Sequence, residues 1–147
     1  MSNREGAPLI YRILLTLILA SALSACLKSE VEPTKSAEIT ANFSSIQSQI
    51  FNVTCTTNGC HSASDPDAGL ILDAENSYSL LVNQPSQQKP AFSRVAPGDP
   101  DNSYLIHKLE GTGEKNRMPF RGSALPQQTI DVVRQWIADG ALDDRVQ

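Results

Sequence analysis

The chain has 147 residues, one ordinary domain's worth, with 12 basic against 16 acidic residues and a net charge of −4. No basic cluster occurs and only 5% of residues are aromatic, so both the charge footprint and the base-stacking platform of a nucleic-acid partner are missing, and no nucleic acid is expected. An apolar content of 40% is thin for a core of this size, so a crosslink or a bulky cofactor would supply missing buried contacts.

The first element is an export signal. Arg4 and Arg12 give a basic start, and residues 13–20 read ILLTLILA. That run is too short for a bilayer-spanning helix, which takes about 20 residues, but suits the apolar region of a secretory signal. Leu23, Ser24, Ala25 and Cys26 follow and resemble the lipobox of bacterial lipoproteins, where cleavage precedes the Cys and the Cys is lipidated. The resemblance implies a signal peptide over 1–25 and an exported protein, membrane-anchored through lipid on Cys26 and facing the periplasm. Multiple acyl chains hold such an anchor stably. Leu27 after the Cys favours the outer membrane by the enterobacterial sorting rule. The mature chain would carry 10 basic and 15 acidic residues, net −5.

Residues 26–37 are polar, contain Pro33 and lack periodicity, which predicts a flexible tether ahead of a domain over 38–147. Ile39, Phe43, Ile46 and Ile50 fall within roughly 60° on a helical wheel, predicting a helix to about Phe51 that delivers the chain to Cys55. The stretch 62–68 is a loop. Residues 69–73 form a short apolar run suited to an extended segment lining a pocket. Asn76 or Ser77 is placed to cap a short helix over 78–82. A proline-bearing loop leads to the turn at 97–101, whose acidic residues are placed to cap a helix over 102–110, stopped by Gly111. After the loop 113–127 comes a last helix, over 127–139. Pro126 suits its first position, Ile130, Val133, Trp136 and Ile137 share one face, and Gly140 ends it. The expected fold class is all-α: about four short helices with long loops. Loops this long in a small domain need something central to pack on.

With Cys26 taken by lipid, two cysteines remain in the folded part, five positions apart: Cys55 and Cys60, with His61 directly after. An exported pair of this kind ends as a disulfide or as a covalent cofactor attachment. The segment Cys55-Thr56-Thr57-Asn58-Gly59-Cys60-His61 resembles a haem c attachment site, with four residues between the cysteines where the usual motif has two. Two thiols add to the two vinyl groups, and the next residue sets an imidazole beneath the iron. Met118, the only methionine of the mature chain, lies 57 residues after His61 in a loop before the last helix. Class I cytochromes c carry their sixth ligand there, and a thioether opposite His raises the potential relative to a second His.

Five ordered motifs extend the resemblance: GLILD at 69–73, VAPGDP at 95–100, SYLI at 103–106, RMP at 117–119 and WIADGA at 136–141. Together they resemble the planctomycete-type cytochrome c modules over residues 43–141. The resemblance implies one covalent haem c, held by Cys55 and Cys60 as thioethers, with His61 as proximal and Met118 as distal iron ligand. It implies single-electron transfer to redox partner proteins, with no turnover of its own. Arg94 and Arg117 are candidates for the haem propionates. His107 is the rival sixth ligand, although it points about 150° away from the apolar face of its predicted helix. Asp65, Asp67, Asp143 and Asp144 read as solvated charges. Two other readings use the same residues. One is a haem-free binding or structural lipoprotein domain with a Cys55–Cys60 disulfide. The other is a copper site built from His61, His107 and Met118, since imidazole and thioether suit copper.

Overall fold

The computed structural model describes residues 38–57 and 60–145. The signal peptide, Cys26 and the tether expected over 26–37 lie outside the described residues. Glu38 onward forms a compact unit by itself. Helix α1 (Phe43–Ile46) starts where Asn42, in an extended conformation, accepts a 2.9 Å hydrogen bond from the Ser45 amide. This satisfies one of the orphan donors of the first turn. The helix then loosens into a π-helical segment, Gln47–Cys55, in which the cap amide of Thr56 reaches back five residues to the Phe51 carbonyl.

A two-residue hairpin follows, β1 (His61–Ser62) antiparallel to β2 (Asp65–Pro66), with His61 opposite Pro66. It is too short to leave an alternation in the sequence. A 3₁₀ turn at Asp67–Gly69 leads into an extended Leu70, and α2 (Ser77–Leu81), α3 (Tyr104–Glu110) and α4 (Gln127–Ala138) complete the described elements.

The core forms on the faces that periodicity assigned, except that Ile39 lies ahead of α1 and is only half-buried. Phe43, Ile46 and Ile50 are buried with Ile130, Val133, Trp136 and Ile137. Phe43 packs on Trp136 at 5.3 Å between ring centroids and on Tyr78 edge-on at 5.1 Å. Each such pair contributes about 0.5–1.5 kcal/mol beyond its area. The polar tips of these rings are satisfied by the chain after α4: the Trp136 indole donates to Leu142 O and the Tyr78 hydroxyl to Ala141 O, both at 3.0 Å.

Three local expectations need correction. Asp99 does not cap α3; its carboxylate accepts from the backbone and side-chain nitrogens of Asn102, stabilising the turn before the helix, and Ser103 occupies the cap position. Pro126 precedes the first helical residue of α4 instead of occupying it, and its carbonyl accepts from Thr129 and Ile130. Asp143 and Asp144 are not free solvated charges. Asp144 accepts from the amide and hydroxyl of Ser44, while Asp143 pairs with Arg145 at 2.8 Å. The Arg145 guanidinium lies 4.3 Å from the Phe43 ring centre, so the C-terminal segment closes over α1. Gly111 and Gly140 both adopt positive φ, ending α3 and α4 as expected.

Candidate functional site

A cavity of about 670 Å³ opens between the π-helical segment, the hairpin, α3 and the loop ahead of α4. Cys55, Cys60, His61 and Met118 all line it. They come from two separate stretches of chain, 55–61 and the loop at Met118, and the fold brings them to one wall system. Leu70, Leu72, Leu81, Leu105 and Leu109 supply much of the rest, so the interior is largely apolar. Pockets for cofactors and small ligands commonly occupy about 300–1,000 Å³.

The π-helical register decides where Cys55 points. Had the α-helix continued at about 100° per residue, Val53 would stand within about 60° of core-facing Ile50, and Cys55 about 140° from it. Bonding from i to i+5 turns the chain less per residue and brings positions five apart toward one face. Val53 is accordingly turned out, 62% exposed, while Cys55 reaches the cavity. Burial pushes the Cys55 thiol up to about 12, and the neighbouring Cys60 adds to the rise. Cys55 is half-buried and Cys60 exposed.

His61 is held from the opposite side. Its Nδ1 lies 3.0 Å from the Leu70 carbonyl, and its backbone carbonyl accepts from the Leu72 amide at 2.8 Å. A ring whose Nδ1–H donates to a carbonyl is fixed in the tautomer that leaves the Nε2 lone pair for a metal. The GLILD segment is therefore both cavity wall and orienting strut for the imidazole.

Met118 is reached through α3. Its amide donates to the Lys108 carbonyl at 2.8 Å, and the Met118–Pro119 peptide is cis. Arg117, one candidate for charged groups of a cofactor, is absent from the cavity lining; its guanidinium donates to the carbonyls of Met118 and Gly122. Arg94 does line the cavity. It donates to Leu80 O and Ala68 O, and burial holds its guanidinium below the usual range. Asp67 also lines it, whereas Asp65 is exposed in the hairpin and absent from the lining.

His107 stands apart. Its Nδ1 is 2.9 Å from the Thr112 hydroxyl, its Nε2 is 2.9 Å from the Asp101 carbonyl, and its ring packs edge-on against Phe92 at 5.2 Å. It is not a lining residue of the cavity, so His61, His107 and Met118 do not share that site. No group of three or more His, Cys, Asp or Glu side chains placed to hold a metal occurs among the described residues.

Two participants escaped the sequence reading. The Leu70 carbonyl leaves no sequence signal. Lys108 had one: on α3 it lies between Leu105 and Leu109, beside the apolar face and not opposite it.

The donor set fits a covalently attached haem. Two thiols and an imidazole are grouped along a short stretch of chain, a thioether enters the same apolar cavity from a distant loop, and the imidazole has the right nitrogen available. No helix among the described residues is long and apolar enough to cross a membrane. Neither a family model, nor a curated protein, nor a solved structure matches the chain. The functional reading therefore rests on the site itself.

Proposed function

We propose that this chain is a monohaem c-type cytochrome, exported, anchored through lipid on Cys26 to the outer membrane and facing the periplasm, that carries single electrons between partner proteins. One observation carries the proposal: Cys55, Cys60, His61 and Met118 line a single apolar cavity of about 670 Å³. In this reading Cys55 and Cys60 hold the group as thioethers, His61 is the proximal and Met118 the distal ligand of the iron. When bound, haem supplies a one-electron iron couple. The chain's own contribution is to bind it covalently, fix the imidazole through Leu70, exclude water with leucine side chains and present a thioether that raises the potential. With His61 and Met118 both engaged, the chain would leave the iron no open position for a substrate, so no catalytic turnover is proposed. The contact of α1 with α4 through Phe43 and Trp136 supports an all-α, class I-like arrangement, with the hairpin as a minor addition.

The test is a pyridine haemochrome spectrum of protein exported by a host with haem c maturation machinery, taken after acid–acetone extraction. Haem retained on the chain with a thioether-type α band, and altered ligation in His61→Ala, is the expected result. A colourless chain lacking titratable thiols at Cys55 and Cys60 would instead establish the disulfide-stapled, haem-free domain.

A further inference from the structure

Lys108 is the buried lysine of the described residues, 9% exposed, and it lines the cavity from α3. A buried ammonium is costly unless all its protons are bonded. Here Nζ donates to Gln88 Oε1 at 3.1 Å, to Glu114 O at 3.2 Å and to Asn116 O. Those acceptors match its three N–H donors. Two of them are backbone carbonyls of the loop that leads into Met118. The same residue's own carbonyl receives the Met118 amide, so Lys108 grips that loop at both ends. One turn earlier on α3, the Tyr104 hydroxyl accepts from the Glu114 amide at 3.1 Å.

A second cavity, of about 220 Å³, adjoins the loop and is lined by Lys108, Lys115, Asn116 and Met118 among others. Met118 thus borders two spaces, with room for the thioether on either side.

We propose that Lys108 is the positioning residue that keeps Met118 directed into the larger cavity, and so determines whether the thioether serves as the distal ligand. The role rests on the proposed haem site. The ammonium acts through loop carbonyls, and an apolar side chain occupies the space beside them without holding them.

The test uses the full chain, haem-loaded and haem-free, as wild type, Lys108→Leu and Lys108→Arg. Counted per haem by pyridine haemochrome, the far-red absorption of a methionine-ligated ferric haem should fall at least fivefold in Lys108→Leu, and Lys108→Arg should retain most of it. In the haem-free chain, the Met118 amide should exchange hydrogen at least tenfold faster in Lys108→Leu, with the Val133 amide in α4 unchanged. Unaltered far-red absorption with unaltered exchange overturns the proposal, as does equal acceleration at Val133, which would mark general loosening. Absence of haem from the wild type would overturn the cytochrome reading and with it the ligand role. The exchange comparison would still decide whether Lys108 holds the loop. Should Lys108→Leu fail to fold, the smaller Lys108→Ala supplies the same comparison.

Discussion

Cys55 gives the sharpest solution test of the cavity, because its environment changes a rate by a calculable amount. Burial raises its thiol from an ordinary 9.0 to about 12. At pH 8 this lowers the thiolate fraction by about 10³, while the greater nucleophilicity of a more basic thiolate returns about 20-fold for a Brønsted slope near 0.45. The net effect is alkylation roughly 50-fold slower than at the same residue in the unfolded chain. The assay is iodoacetamide labelling of the reduced full chain, made without haem attachment machinery, in buffer and in denaturant. Peptide masses then separate Cys26, Cys55 and Cys60. Cys60 is exposed and should label well ahead of Cys55 in the folded chain. Labelling of Cys55 within threefold of its denatured rate would refute a desolvated thiol in the cavity wall, and with it the π-helical placement. If the slow rate is found, either covalent fate of Cys55, thioether or disulfide, belongs to the chain before the cavity closes around it.

Two further outcomes test the frame that carries the site. Ile137→Ala removes a fully buried side chain from α4 and should destabilise the domain by about 2–5 kcal/mol in urea unfolding; a loss under 1 kcal/mol would place Ile137 outside the core. The Arg145 hydrogen bond holds the Asp143 carboxyl below its usual range. A depressed folded pKa means that this contribution is present above the unfolded value near 3.9 and is lost as pH falls through the folded value. Asp143→Asn should therefore lower the unfolding midpoint at pH 7 and flatten its fall between pH 5 and 3; an unchanged slope would show that the pair is not formed in solution.

The sequence revealed those parts of the fold that repeat with the period of an α-helix. Ile130, Val133, Trp136 and Ile137 define one face at about 100° per residue, and that face is the buried one. The same rule carried past Ile50 would set Cys55 about 140° from the core-facing side, whereas the π-helical stretch, which has no distinct apolar spacing of its own within nine residues, turns it to the cavity. The hairpin at His61 was invisible for a related reason: two residues per strand cannot display alternation. Asp143 and Asp144 looked solvated because their partners, Arg145 and Ser44, include one that is 100 positions away. In the site, the adjacency of Cys60 and His61 was legible because covalent sequence enforces it. That Met118 lines the same cavity, and that His107 instead spends both ring nitrogens on Thr112 and Asp101, emerges only from the packing of α3.

The cavity and the core share walls. Phe51, Leu72, Leu81 and Leu109 belong to the buried cluster and also line the cavity. A change at any of them alters stability and cavity shape together, so loss of a cofactor in such a variant would say little about ligand chemistry. A small domain with a thin apolar content can obtain a large cavity only by this sharing. His61, Met118 and Lys108 differ in kind. None belongs to the fully buried apolar cluster, and each is tied to a particular backbone carbonyl: the His61 imidazole to Leu70 O, the Met118 amide to Lys108 O, and the Lys108 ammonium to the Glu114 and Asn116 carbonyls. Substitutions at these three positions separate chemistry from folding. The contrast between them and the leucine wall is what distinguishes a built cofactor site from a packing defect, since a defect of equal volume would respond to all seven positions alike.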